Sequence, residues 1–264
     1  MQGSKLRRPG PPFHAYLNNT NNHGETDRYI ITFANRTVAD EWWRLVSTTA
    51  PWSDSIRRIT PQWYTHRRRN DSSDATRTIR SDRSDGFEAP ARSLQKSIMF
   101  TRLPDREVSQ FNPIPMVEIT DHLSGNWFFI RSRINPQEYW YCPAGSDRVR
   151  ISRNGHDRTM FTIRLVNGES GIVMIGTDDI RIFSSTNSDS VSAMVGADDN
   201  RSLAIGRGSI TSFKFSALEN GFRVRGLRRI FSSQPAASAP PTQAEIDAMD
   251  DIVTSGDGEP WDLV

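Results

Sequence analysis

From Ser97 to Ser233 the chain is a succession of short β-forming runs set off by Gly, Asn, Asp and Pro, with no helical stripe between them. IMFTRL, MVEITD, WFFIRS, EYWY, RVRIS, MFTIRLV, IVMIG, IRIFSS, VSAMV, SLAIG, FKFSA, FRVRG and RIFSS follow one another. Many short strands with turn signals between them predict an all-β sandwich or barrel. The runs also recur. Glycines open similar strands at Gly125 (GNWFFIRS), Gly171 (GIVMIGTD) and Gly221 (GFRVRGLR), at intervals of roughly 45–50 residues. RIFSS occurs at Arg181–Ser185 and again at Arg229–Ser233. A further register lays RVRISRNGHDRTMFTI on SLAIGRGSITSFKFSA, pairing Val149 with Leu203, Ile151 with Ile205 and Phe161 with Phe215.

Units of this length with several strands each resemble the repeats of β-trefoil proteins, the architecture of ricin-B-type lectins and fascin-like proteins. The resemblance implies a mainly β domain over 95–233, a trefoil-like barrel of about twelve short strands. The runs at 98–103 and 116–121 would complete the third copy. A two-sheet β-sandwich is the alternative. No repeated Q-x-W is present, so the resemblance carries no sugar site over, and one architecture serves many unrelated functions.

Upstream, residues 1–52 read as a small α/β unit. Strands are expected at Phe13–Leu17 and Arg28–Phe33, followed by a helix near Val38–Ser47. Thr37 with Asp40 fits a capping box, and Val38, Trp42, Leu45 and Val46 share one helical face. The run YIITFANRTVADEWWRLV, within 29–47, resembles the final strand and Trp-bearing helix of a pleckstrin-homology-like domain. No lipid-binding residue is transferred from that resemblance.

Residues 53–94 turn to Arg, Asp, Ser and Thr with sparse apolar residues, the composition of a flexible linker. Within it, Arg67, Arg68 and Arg69 beside Trp63 and Tyr64 form a combination that grips phosphates and stacks on bases. Asp71, Asp74, Asp82 and Asp85 interleave further positive charges and dilute that field, so nucleic acid is not the favoured partner. Residues 234–264 read as a disordered acidic tail. Ile246, Met249 and Ile252, with Trp261 and Leu263 in EPWDLV, are candidates for docking on another protein. EPWDLV resembles a PWxxW-type clathrin-binding motif whose last Trp is replaced by Val264.

The 264 residues include 33 Lys and Arg against 31 Asp and Glu, a net charge of only +2. Lys occurs only as Lys5, Lys96 and Lys214, so the basic side chains are almost all Arg, suited to bidentate contacts with phosphate or carboxylate. The mean hydropathy is −0.59. The single cysteine, Cys142, excludes an internal disulfide or a Cys-based zinc site. It follows an aromatic strand with no nearby base, which predicts a buried, inert thiol. With no membrane span and no secretory leader in the pattern, an intracellular and cytoplasmic protein is expected.

No nucleophile elbow, Walker loop or H-E-x-x-H is present, and no catalytic residue, metal ligand or cofactor is assigned. The remaining ligand candidates are Trp127, Asn135, Glu138, Tyr139, Trp140 and Tyr141, whose rings, amide and carboxylate suit a glycan or a peptide side chain. Alternation sends Tyr139 and Tyr141 to one side of their strand and Trp140 to the other. The sequence therefore reads as a non-catalytic intracellular interaction protein with a docking tail. A lectin-type trefoil is the first alternative, and nucleic-acid binding through the Arg-rich linker the second.

Overall fold

The computed structural model describes residues 11–20, 26–49, 52–67, 94–103, 119–153, 157–186, 190–193, 202–206, 211–225 and 250–264. They form a mainly β structure in two compact units, Met1–Asp121 and His122–Val264, each with its own core. No helix among the described residues is long and apolar enough to cross a membrane.

The first unit is a five-stranded sheet with one helix. Strands β1 (Phe13–Thr20) and β2 (Thr26–Phe33) pair antiparallel, helix α1 (Arg36–Thr48) follows, and β3 (Ile56–Thr60) and β4 (Trp63–Arg67) form a second hairpin. Strand β4 joins β1 in parallel, β5 (Ile98–Leu103) joins β2 antiparallel, and the order is β3-β4-β1-β2-β5. Alternation sends Ala15 and Leu17 of β1, and Tyr29, Ile31 and Phe33 of β2, into one core.

Helix α1 covers that face with Ala39, Trp42 and Val46, all buried. The Trp42 ring lies 5.2 Å from Tyr64, 5.5 Å from Phe33 and 6.4 Å from Phe100. Trp43, off that stripe, packs on Tyr64 at 5.6 Å. The helix starts before the position the pattern suggests, because Asn35 is its cap: Oδ1 accepts from the Val38 amide at 3.0 Å. Asp40 is thereby released from the expected capping box. It accepts from Arg36 at 2.8 Å and from Arg58 of β3 at 3.0 Å, while Arg58 also reaches Asp121 at 2.8 Å. Burial pushes the Asp40 carboxyl above its ordinary range, against the pull of both guanidiniums.

Three expectations change here. Residues 56–60 and 63–67 are sheet strands, not linker, because Ile56 and Tyr64 bury in the core under α1. The run 98–103 is an edge strand of this sheet, paired along its length with β2, and is not part of the downstream β-domain. The helix is followed by further strands of the same sheet and does not close the unit.

The second unit is a curled nine-stranded sheet with an added two-stranded ribbon. Its strands are β6 (Trp127–Ser132), β7 (Tyr139–Tyr141), β8 (Arg150–Ser152), β9 (Met160–Leu165), β10 (Asp179–Ser184), β11 (Val191–Ala193), β12 (Leu203–Ile205), β13 (Phe213–Lys214), β14 (Phe222–Arg225), β15 (Asp251–Thr254) and β16 (Trp261–Leu263). A one-turn helix, α2 (Ala217–Asn220), links β13 to β14. The main order is β13-β10-β9-β6-β7-β8-β15-β14. Strand β16 pairs with β6, and Glu259 just before it bridges Phe222 of β14, so the sheet curls back on itself.

Three hairpins meet at one end, through Arg148 with Ala204, Ser202 with Val253 and Asp251 with Arg150. There the Val149 amide donates to the Leu203 carbonyl at 3.0 Å and the Ile252 amide to the Val149 carbonyl at 3.2 Å. The repeated register that laid Val149 on Leu203 therefore joins residues that touch, and Ile252 is their third companion. Gly125 at φ 92° precedes β6, whereas Gly171 at φ 76° precedes only the isolated bridge of Val173 with Leu123, so the expected strand at 172–176 does not form; a side chain would be strained at either glycine. Gly221 has another reason: a Cβ there would lie 2.6 Å from Ala217 Cβ.

The tail is the largest correction in this unit. Residues 251–254 and 261–263 are strands, with Ile252, Val253, Trp261 and Leu263 all buried. The strands that complete this unit come from here, where 98–103 and 116–121 were expected to supply them. Residues 116–118 lie outside the described residues, as do Ile246, Met249 and the second RIFSS.

Candidate functional site

Turned away from α1, the first sheet presents the residues that alternate with its core. Leu103, Arg28, Asn18, Thr65 and Arg57 lie side by side across β5, β2, β1, β4 and β3. The neighbouring row is Thr101, Ile30, Tyr16 and Trp63. Beyond it stand Met99, Thr32 and His14, with His14 Nδ1 3.1 Å from Thr32 Oγ1 and Gln62 Nε2 donating to the His14 carbonyl at 3.0 Å. A depression of about 450 Å³ opens among His14, Tyr16, Ile30, Thr32, Gln62 and Thr101.

This face is aromatic and basic. Arg57 and Arg67 are exposed, and Met99 is 58% exposed. Among the described side chains no carboxylate stands on it, and Arg28, Arg57 and Arg67 have no ion-pair partner among the described residues. Tyr16 and Trp63 are cross-strand neighbours, roughly 4.8 Å apart at the backbone, and the Arg28–Arg57 row lies roughly 6.7 Å farther along the strands. Trp63 Nε1 and Asn18 Oδ1 are buried without a hydrogen-bond partner. Rings beside guanidiniums can hold a planar group while neutralising an anion attached to it.

The structure separates Trp63 from Tyr64. Trp63 stays on the open face, whereas Tyr64 is fully buried under α1 and donates its hydroxyl to the Pro61 carbonyl at 3.1 Å. The two rings therefore do not act as the pair expected from sequence. Arg67 joins Trp63, and Arg68 and Arg69 lie outside the described residues. His14, Tyr16, Arg28 and Arg57 were not singled out from sequence. Their signal is the polar and aromatic half of the alternation in β1, β2 and β3.

The second unit divides its candidates between core and surface. Trp140 is wholly buried, edge-on to Phe222, Trp261 and Phe161 at 5.1, 5.7 and 5.9 Å. Removing it would unmake the core, so it is not a ligand residue. Glu138 is buried, accepting from Arg153 at 2.9 Å and from Asn135 at 3.2 Å, while Arg153 also donates to Asp250 at 2.8 Å. Those bonds fasten the C-terminal segment to the β7–β8 region. Tyr139 and Tyr141 are partly exposed on the outer face, with Phe129 edge-on to Tyr139 at 6.5 Å, and Trp127 is half exposed. Ile252, Trp261 and Leu263 belong to the same core as Trp140 and cannot dock on a partner without unfolding it.

Cys142 is buried as expected, and burial raises its thiol to about 12 despite hydrogen bonds from Ser184 and Thr159. A thiol reagent at pH 8 is expected to leave Cys142 unmodified until the unit unfolds, a difference read directly by mass spectrometry with and without denaturant. Because the folded thiol holds its proton more tightly than the unfolded one, its contribution to stability is lost as pH rises from 9 toward 12. Among the described residues no group of three His, Cys, Asp or Glu is placed to hold a metal ion.

No known protein family, curated protein or solved structure matches the chain.

Proposed function

We propose that this is a non-catalytic binding protein whose first unit holds single-stranded nucleic acid on the open face of its sheet. The observation that carries the reading is the pair of adjacent rows there, Tyr16 and Trp63 in one, Arg28 and Arg57 in the next, with no carboxylate among the described side chains. A base has a π-face whatever its identity, so two rings one strand apart accept successive bases with little sequence preference. Phosphates recur along the same strand, which suits guanidiniums set one row to the side. An intracellular location goes with this reading.

Two other readings lose support. Docking through the tail loses Ile252, Trp261 and Leu263 to the core, and a lectin site loses Trp140. For the second unit we propose a β-trefoil architecture. The support is the pairing of β6 with β9, β10 with β13 and Phe222 with Glu259, together with the three-way meeting of hairpins at Val149, Leu203 and Ile252.

Fluorescence anisotropy with a labelled mixed-sequence oligonucleotide tests the binding proposal. Trp63→Ala is expected to weaken binding by about 5- to 150-fold, the range of one base–ring stack. Arg57→Glu with Arg67→Glu is expected to flatten the log-affinity against log-salt slope by about 1.4, roughly 0.7 for each phosphate that is no longer neutralised. All three side chains are at least partly exposed, so the fold should survive. Binding that is insensitive to salt, or unchanged in these folded variants, sinks the reading.

A further inference from the structure

The second unit carries a comparable combination on the outer face of β6, β9 and β10. Arg164 and Arg181 are directly opposite each other across the antiparallel β9–β10 pair, and both are exposed. Like charges in that position repel, and neither has a carboxylate partner among the described residues. Asp179, two positions before Arg181 on the same face of β10, is held by Lys214 at 2.9 Å. The adjacent row is Trp127, Thr162 and Phe183. Trp127 is 50% exposed, and the Arg164 guanidinium lies 5.3 Å from the Phe183 ring. Beneath the rings, Thr162 is 1% exposed and its hydroxyl has no hydrogen-bond partner.

We infer that this face is a second, independent binding site for single-stranded nucleic acid. An arginine pair with no carboxylate partner among the described residues calls for an oxyanion. The flanking rings call for a planar or apolar group attached to it, one row away at roughly 6.7 Å. A third cation continues the pattern: Arg158 sits 4.1 Å over the Phe129 ring, in the row beyond Thr162. Cations and rings that alternate over three strands match a ligand whose anions and rings also repeat. A lone charged sugar offers one anion, whereas a nucleic-acid strand offers one phosphate per base. The inference does not rest on the reading of the first unit.

The test uses the full chain with the first site disabled by Trp63→Ala, Arg57→Glu and Arg67→Glu. In that background the labelled oligonucleotide is expected still to bind, with salt-dependent affinity. Adding Arg164→Glu and Arg181→Glu should weaken that binding and remove about 1.4 from the salt slope. Trp127→Ala should weaken it by about 5-fold or more. Arg181→Gln is the control for folding, because it relieves the repulsion. It should lower affinity without lowering Tm. The inference is overturned if the background variant does not bind, if the added substitutions leave residual binding unchanged, or if dextran sulfate binds this face while the oligonucleotide does not. Loss of all binding on disabling the first site alone rejects this inference and leaves the first reading standing. Binding lost only with Arg164 and Arg181 does the reverse.

Discussion

A chain ended after Met249 is expected to lose the folded second unit, even though the removed residues are the most acidic and outwardly the least fold-like of the sequence. Strands β15 and β16 bury Ile252, Val253, Trp261 and Leu263. Trp261 lies edge-on to Trp140 at 5.7 Å, and its indole N–H donates to the Phe222 carbonyl at 3.2 Å. At about 1.5–3 kcal/mol for each large apolar side chain, this burial is worth on the order of 6–12 kcal/mol. That matches the whole stability of a typical domain, about 5–15 kcal/mol. The acidic residues contribute as well, since Asp250 accepts from Arg153 and Asp251 from Arg148, each at 2.8 Å. Limited trypsin digestion should cut the truncated chain rapidly at Arg131, Arg150 and Arg164, which the full chain holds in strands. A truncated chain with unchanged protection and near-ultraviolet circular dichroism contradicts the expectation.

In the first unit, Asp40→Ala is expected to cost about 3 kcal/mol. Breaking a buried ion pair costs about 3–5 kcal/mol because it strands the partner charge, and the lower end applies here because Asp121 still holds Arg58 at 2.8 Å. Arg58 is the vulnerable partner: its side chain is only 4% exposed, and Nε and Nη1 already lack hydrogen-bond partners. Replacing both groups by apolar residues of similar size, Asp40→Leu with Arg58→Met, should recover most of the loss, since desolvating the pair offsets much of its attraction. Chemical denaturation of the three proteins gives the comparison, and a double variant as unstable as Asp40→Ala contradicts it. The pH dependence has a definite sign. The folded carboxyl titrates above its unfolded value, so its contribution is fully present below the unfolded pKa and is lost as pH rises through the folded one. Asp40→Ala should remove that part of the acid-side profile.

Much of the local structure could be read directly from the residues. Trp42 and Val46 fall on one helical face and are among the side chains α1 buries, with Ala39 and Asp40. Alternation in EYWY correctly separates Trp140 from Tyr139 and Tyr141, and the repeated register brings together Val149 and Leu203, which are hydrogen-bonded neighbours. The periodicity does not say which side faces inward. Trp140 points to the core because Phe161, Phe222 and Trp261 arrive from other strands to meet it. Arg67 and Trp63 could be suspected from their chemistry. Arg28, Arg57 and Tyr16 could not, because only strand pairing carries them into adjacent rows.

The sequence by itself determined the helix, many of the strands and the alternation of faces along each, since these follow from side-chain periods of two and 3.6 residues along a continuous chain; it did not mark β3, β4, β15 or β16 as strands. Tertiary structure alone decided the membership of those strands. It gave 98–103 to the first sheet and returned 251–263 to the second, because burial there satisfies apolar faces that distant segments leave open. It also decided the candidate site. Rings and guanidiniums from separate strands become one surface only when the register sets them side by side.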